Sequence, residues 1–200
     1  MPLDDPLRVL HVLDHSVPHH SGYSFRTLNI LRGQRALGWR TFHLTSPKQG
    51  GEGVEEEVEG LHFYRTPAAP QRPPILNELG LMRRLHTRLA EVARSVRPHL
   101  LHVHSPVLNA LPAFSVADAL GVPLVYEVRA FWEDAAVDHG STREGSLRYR
   151  LTRALETRAL HRASHVTTIC QGLAGEMVSR GVPPDKITVI PNAVDSQAFS

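Results

Sequence analysis

Four short stretches of the 200-residue chain concentrate side chains able to do chemistry. The first is HSVPHHSGY, residues 15–23. Gly22 stands where an apolar, helix-spaced segment begins, and a glycine there lets a ligand approach the backbone closely. The free N–H groups and the dipole at a helix start favour an anion or a sugar hydroxyl. Ser21 fits equally well as a plain N-cap, and Tyr23 belongs to the same loop. The second stretch is HVHSP, residues 102–106. Strand alternation puts His102 and His104 on one face, with His104 at the carboxyl end beside Ser105. A metal site needs further ligands at suitable spacing; none is selected by the remaining histidines, so no metal is expected. His104 reads as a crevice histidine and His102 as a satisfied interior one.

The third stretch is EVRAFWED, residues 127–134. Glu127 and Arg129 share a face at the end of an otherwise apolar strand, so they must pair or meet a polar ligand. The guanidinium fork suits hydroxyls or a phosphate, and Trp132 and Glu133 follow in the same loop. The fourth is VIPNAVD, residues 189–195, with Phe199 beyond it. A strand followed by Pro191 and Asn192 reads as the passage into further structure.

The elements that must hold these residues follow from periodicity. Short apolar runs at residues 7–13, 39–45, 61–65, 100–104, 123–129, 165–170 and 186–190 read as seven strands. Helical patterns fill 22–37, 75–96, 107–120, 147–163 and 171–180, with Phe25, Leu28, Leu31 and Leu37 as the first helix's apolar stripe. The glycine- and glutamate-rich residues 48–60 read as a solvated loop, and residues 130–146 as a polar loop. Strands alternating with helices predict an α/β fold: one doubly wound, mostly parallel Rossmann-like sheet of about seven strands, helices on both faces. Ligands of such sheets sit beyond the carboxyl ends of the strands, where all four stretches fall.

Composition narrows the classes. With 42% hydrophobic and 21% charged residues the chain is globular, and a formal charge of +2 gives no nucleic-acid signal. No apolar stretch reaches a membrane-spanning length, and the N-terminus lacks the form of a secretory signal. The lone Cys170 reads as a small buried hydrophobe on a strand, suited to a reducing compartment. A cytoplasmic protein is expected. The Arg-rich segments 75–97 and 147–163 read as solvated outer faces, with peripheral contact to the inner face of an anionic membrane as the alternative.

In order along the chain, LRVLHVLDHSVPHHSGYSFRTLNILRGQRALGW, LLHVHSP, VYEVRAFWED and ITVIPNAVDSQAF resemble the N-terminal half of the family-4, GT-B-fold retaining glycosyltransferases. The EVRxxW form looks like the surface-polysaccharide, exosortase-associated subset. The resemblance implies an acceptor-side domain over residues 1–190 and, over 191–200, the start of a linker to an absent nucleotide-sugar domain. It implies transfer of a hexose from a nucleotide sugar to a glycan or lipid-linked acceptor in polysaccharide synthesis, with no cofactor. The isolated chain would be inactive, because the second domain supplies a basic residue and a spaced carboxylate pair. Arg129, Glu127 and His104 would be catalytic. Ser21, Gly22, Tyr23, Ser105, Trp132, Glu133 and Asn192 would bind donor or acceptor. Two departures stand out: Ser21-Gly22 replaces a glycine pair, and Arg129 stands where a histidine is common. Arginine cannot act as a base; in a retaining enzyme the departing phosphate can take the acceptor proton. The rival reading is a stand-alone carbohydrate- or nucleotide-binding module.

Overall fold

The computed structural model describes residues 5–68, 70, 73–138, 140 and 142–193. Its elements run β1 (Arg8–Leu13), α1 (Gly22–Ala36), β2 (Arg40–Thr45), β3 (Glu55–Val58), β4 (Leu61–Arg65), α2 (Pro74–Val96), β5 (Leu100–His104), α3 (Val107–Leu120), β6 (Leu124–Val128), α4 (Trp132–Asp138), α5 (Leu147–Arg162), β7 (His165–Thr168), α6 (Gln171–Ser179) and β8 (Ile187–Val189). The strands form one sheet in the order β3-β4-β2-β1-β5-β6-β7-β8. All neighbours are parallel except β3 with β4. The chain builds outward from β1, returns through α2 to β5 on the other side of β1, and builds outward again. That reversal opens a crevice between the loops leaving β1 and β5.

The sheet has eight strands where about seven were expected, because the acidic run is not wholly loop. Residues 55–58 form β3, a hairpin on β4 turning through Glu59 (φ 52°) and Gly60 (φ 70°). Two successive left-handed residues match the twist of a two-residue hairpin. Glu56 accepts from Arg65 Nη2 at 2.7 Å, which draws the acidic strand onto β4. Residues 130–146 likewise contain α4 rather than loop alone. Cys170 is not a buried strand residue: β7 ends at Thr168, and the exposed Cys170 caps the start of α6.

The two faces of the sheet differ in kind. On one, Leu10, Val12, Leu101, Val103, Tyr126 and Val128 join an apolar core with Leu85 and Leu89 of α2 and Phe114 of α3. On the other, under α1, strand register sets His11 beside His43 and His102, and His104 beside Glu127. All five are buried. A small apolar cluster, including Leu13, Leu28, Leu31 and Phe63, completes that side. Phe25 and Leu37, expected on α1's buried stripe, are exposed. Ser24, Arg26 and Thr27 are buried instead, because what α1 covers is largely polar.

Candidate functional site

Glu127, the penultimate residue of β6, is fully buried. Its Oε1 accepts from Arg129 Nε at 2.8 Å and from Arg26 Nε at 2.9 Å. Its Oε2 lies 3.2 Å from His102 Nε2, but neither atom has a well-formed hydrogen bond. His102 is therefore not the satisfied interior histidine expected. Burial pushes the Glu127 carboxyl up; His104, His102 and Arg129 pull it down, and the net lies well below the usual carboxylate range. Arg129 and Arg26 both donate to the carboxylate and so favour its ionised form.

Arg129 commits four of its five N–H donors inside the protein. Besides Glu127, they reach the Tyr23 carbonyl at 2.8 Å, Thr27 Oγ1 at 3.1 Å and His104 Nδ1 at 2.7 Å. The guanidinium also lies 4.1 Å from the Tyr23 ring centroid. This contact orders a whole chain of protons. Arginine only donates, so His104 Nδ1 accepts and the His104 proton sits on Nε2. That proton points at His11 Nδ1, 3.0 Å away. His11 must then carry its own proton on Nε2, which meets Gln34 Oε1 at 2.8 Å. Both rings are neutral in this order. Burial, with neighbouring histidines adding to it, holds both well below the usual histidine range, against the opposing pull of Glu127.

His11, His102 and His104 also bring ring nitrogens within 4.8 Å of one another, the one such group among the described residues. In the donor order above, the lone pairs of His11 Nδ1 and His104 Nδ1 are both engaged in hydrogen bonds.

The loop residues surround this centre. Ser21 caps α1, its Oγ accepting from Ser24 N at 3.2 Å and lying 3.0 Å from His15 Nε2. Gly22 is exposed in the first turn. Tyr23 Oη accepts from Asp14 N at 3.0 Å, and its ring stacks on His15. Burial raises the Tyr23 phenol above its ordinary range. Ser105 is buried beneath the Arg129 backbone, its Oγ 3.4 Å from Arg129 N. Asn192 Oδ1 accepts from Arg26 Nη1 at 3.1 Å. Arg26 also donates to the carbonyls of Pro191 at 3.1 Å and Ile190 at 2.8 Å, and so ties the segment after β8 to Glu127. Asp195 and Phe199 lie outside the described residues.

Trp132 and Glu133 stand apart from Glu127. Trp132 is 40% exposed on a groove of about 530 Å³ between α3, α4 and α5, with Leu147 and Leu151 also on its walls. The Lys48 ammonium lies 5.4 Å from the Trp132 ring centroid. Glu133 touches that groove, but its Oε1 turns inward to Arg180 Nη1 at 2.6 Å. The four residues that complete the centre and escaped the sequence reading are Arg26, Thr27, Gln34 and His11. The available signal was an arginine interrupting the apolar spacing of α1; nothing local marks Gln34.

Solved structures similar to this chain include sucrose-phosphate synthase from Thermosynechococcus elongatus, with a TM-score of 0.68 at 12% identity, covering 94% of this chain and 49% of that one. Anabaena Alr3699/HepE in complex with UDP and glucose gives 0.63 at 14%, over 94% and 45%. UDP-GlcNAc 2-epimerase from Methanocaldococcus jannaschii gives 0.59 at 12%, over 93% and 46%. At these identities the likeness is one of fold: the chain is built as the N-terminal half of a GT-B fold and spans about half the length of these structures. No curated protein matches it. The family described as glycosyl transferase 4-like domain matches residues 21–193, from the α1 cap to the segment held by Arg26, and the chain belongs to that family.

Proposed function

We propose that the chain is the acceptor-side domain of a retaining hexosyltransferase that moves a sugar from a nucleotide sugar to a glycan or lipid-linked acceptor in polysaccharide synthesis. The observation that carries this is the space in front of Gly22. A Cβ built there meets nothing within 4 Å, and its φ is not in the left-handed region. The fold itself makes no demand for glycine at this position, whereas a donor phosphate or sugar resting on the first N–H groups of α1 does. In support, Alr3699/HepE, of the same fold, binds UDP and glucose.

In this reading the donor lies over Ser21, Gly22 and Tyr23, and the Trp132 groove receives an apolar part of the acceptor. Arg129 acts at one remove: through Tyr23 and Thr27 it fixes α1 under the donor and adds positive charge beneath it, with no proton to accept. His104 and Glu127 hold Arg129 in place. Residues beyond 190 lead to the domain that holds the nucleotide. The isolated chain therefore binds UDP- and GDP-sugars no tighter than about 1 mM by calorimetry; micromolar binding would overturn the half-site reading. In the chain joined to a sugar-nucleotide domain, Gly22→Val lowers turnover by more than about tenfold while the melting temperature holds. Unchanged turnover removes Gly22 from the site.

A further inference from the structure

A second recess opens on the other side of α2, against the segment leaving β4. It holds about 420 Å³, and Thr66, Asn77, Gly80, Arg83, Arg84 and Thr87 stand on its walls. Asn77, Gly80, Arg84 and Thr87 form one stripe of the helix. Three observations about these residues have no explanation within the protein's own packing.

Arg83 and Arg84 are exposed, and among the described residues neither guanidinium has a hydrogen bond or ion pair. Their neighbour Arg88 is committed, donating to Glu91 at 3.2 Å and to the carbonyls of Arg65 at 3.2 Å and Val54 at 2.9 Å. Of the acids on α2, Glu91 is taken by Arg88 at 3.2 Å and Glu78 faces Arg148 of α5 at 4.0 Å. The recess thus carries two cations with no counter-charge. Thr66 is 1% exposed, and its Oγ1 has no hydrogen-bond partner. A buried hydroxyl is rarely left so. Gly80 sits in the interior of α2, where glycine weakens a helix relative to alanine. Its φ is ordinary, and a Cβ there would meet nothing within 4 Å. Nothing in the surrounding fold requires a glycine there.

We infer that this recess is a phosphate-binding site, taking the phosphoryl group of a phosphorylated small molecule or of a lipid headgroup. Two guanidinia supply charge-assisted, fork-shaped donation. Asn77 and the unpartnered Thr66 hydroxyl bring further donors, while the Thr87 hydroxyl donates to the Arg83 carbonyl at 3.2 Å. That is more than the two oxygens of a carboxylate can use, and it matches a tetrahedral group with three or four oxygens. Gly80 lets that group close on the helix. The inference does not depend on the sugar-transfer reading.

The test uses the chain as it stands. Inorganic phosphate is titrated while the backbone amides of Thr66, Gly80 and Thr87 are followed by NMR, with acetate at equal ionic strength as the control. In parallel, the chain is floated with phosphatidylcholine vesicles lacking or containing phosphatidylglycerol. Phosphate shifts these amides saturably and acetate does not. The doubly substituted Arg83→Gln, Arg84→Gln chain, altered only at exposed positions, binds at least about tenfold more weakly with the rest of its spectrum unchanged. Gly80→Ala also weakens binding while raising the melting temperature, a combination that a merely structural glycine cannot give. Saturable free phosphate without vesicle binding assigns the site to a soluble ligand. Vesicle binding that phosphate displaces assigns it to a headgroup. Phosphate shifts no larger than those of acetate, vesicle binding that phosphate does not displace, or binding that survives the double substitution overturns the site.

Discussion

Glu127 holds the charge of the α1 layer together, and its loss is the sharpest test at the scale of single residues. Glu127→Ala leaves Arg26 and Arg129 buried side by side without a counter-charge, a cost of about 3–5 kcal/mol in urea unfolding. The imidazoles beneath it make stability depend on pH. Folded, His11 and His104 lie well below the usual histidine range, and burial holds His43 at about 3. Unfolded, each titrates near 6.5. Below that pH the unfolded chain takes up protons that the folded chain refuses, so stability is full above 6.5 and falls as pH falls. Glu156 works in the opposite sense: burial lifts it to about 7, so the folded chain gains as pH drops from there towards 4.5. Three histidines outweigh one glutamate, and the net loss is about 3 kcal/mol per unit between roughly pH 6 and 5. Urea midpoints at pH 7.5 and 5.5 measure it; equal midpoints would mean that the histidines are charged in the fold.

At the scale of elements, α1 is held at its first turn by a cap and along its length by polar contacts to the sheet. Ser21→Ala removes the side chain that accepts from Ser24 N, and costs about 1 kcal/mol by thermal unfolding. A loss of several kcal/mol would show that the Ser21–His15 contact, not the cap, holds the loop. This helix also marks where the sequence was legible. Its start and its end could be read from Ser21, Gly22 and Gly38, but not its buried face. Periodicity assigns apolar residues to the inside, and it chose Phe25 and Leu37 because it cannot see that the strands beneath carry His11, His104 and Glu127. The same blindness hid β3. Three glutamates in a row resemble solvent-facing loop until Arg65 and Arg88 on the neighbouring elements supply their charge partners. The mostly parallel, doubly wound sheet was legible because the alternation and length of the segments decide it. Which side chains meet across 100 residues, as Arg26 and Glu127 do, depends on packing that no local window contains.

At the scale of the molecule, three features share the carboxyl edge of the sheet: the Gly22 turn, the Trp132 groove and the α2 recess. Among the described residues no helix is long and apolar enough to cross a membrane. Arg26 joins this edge to the end of the described chain, and its contacts have a mechanical meaning. A pull on residues 190–192 large enough to break their carbonyl contacts must either drag Arg26 along or leave its guanidinium facing an emptied pocket. If Arg26 follows, Glu127 loses one of its two guanidinium partners and is left with Arg129 alone. The exit segment thus behaves as a lever whose short arm ends on a buried carboxylate.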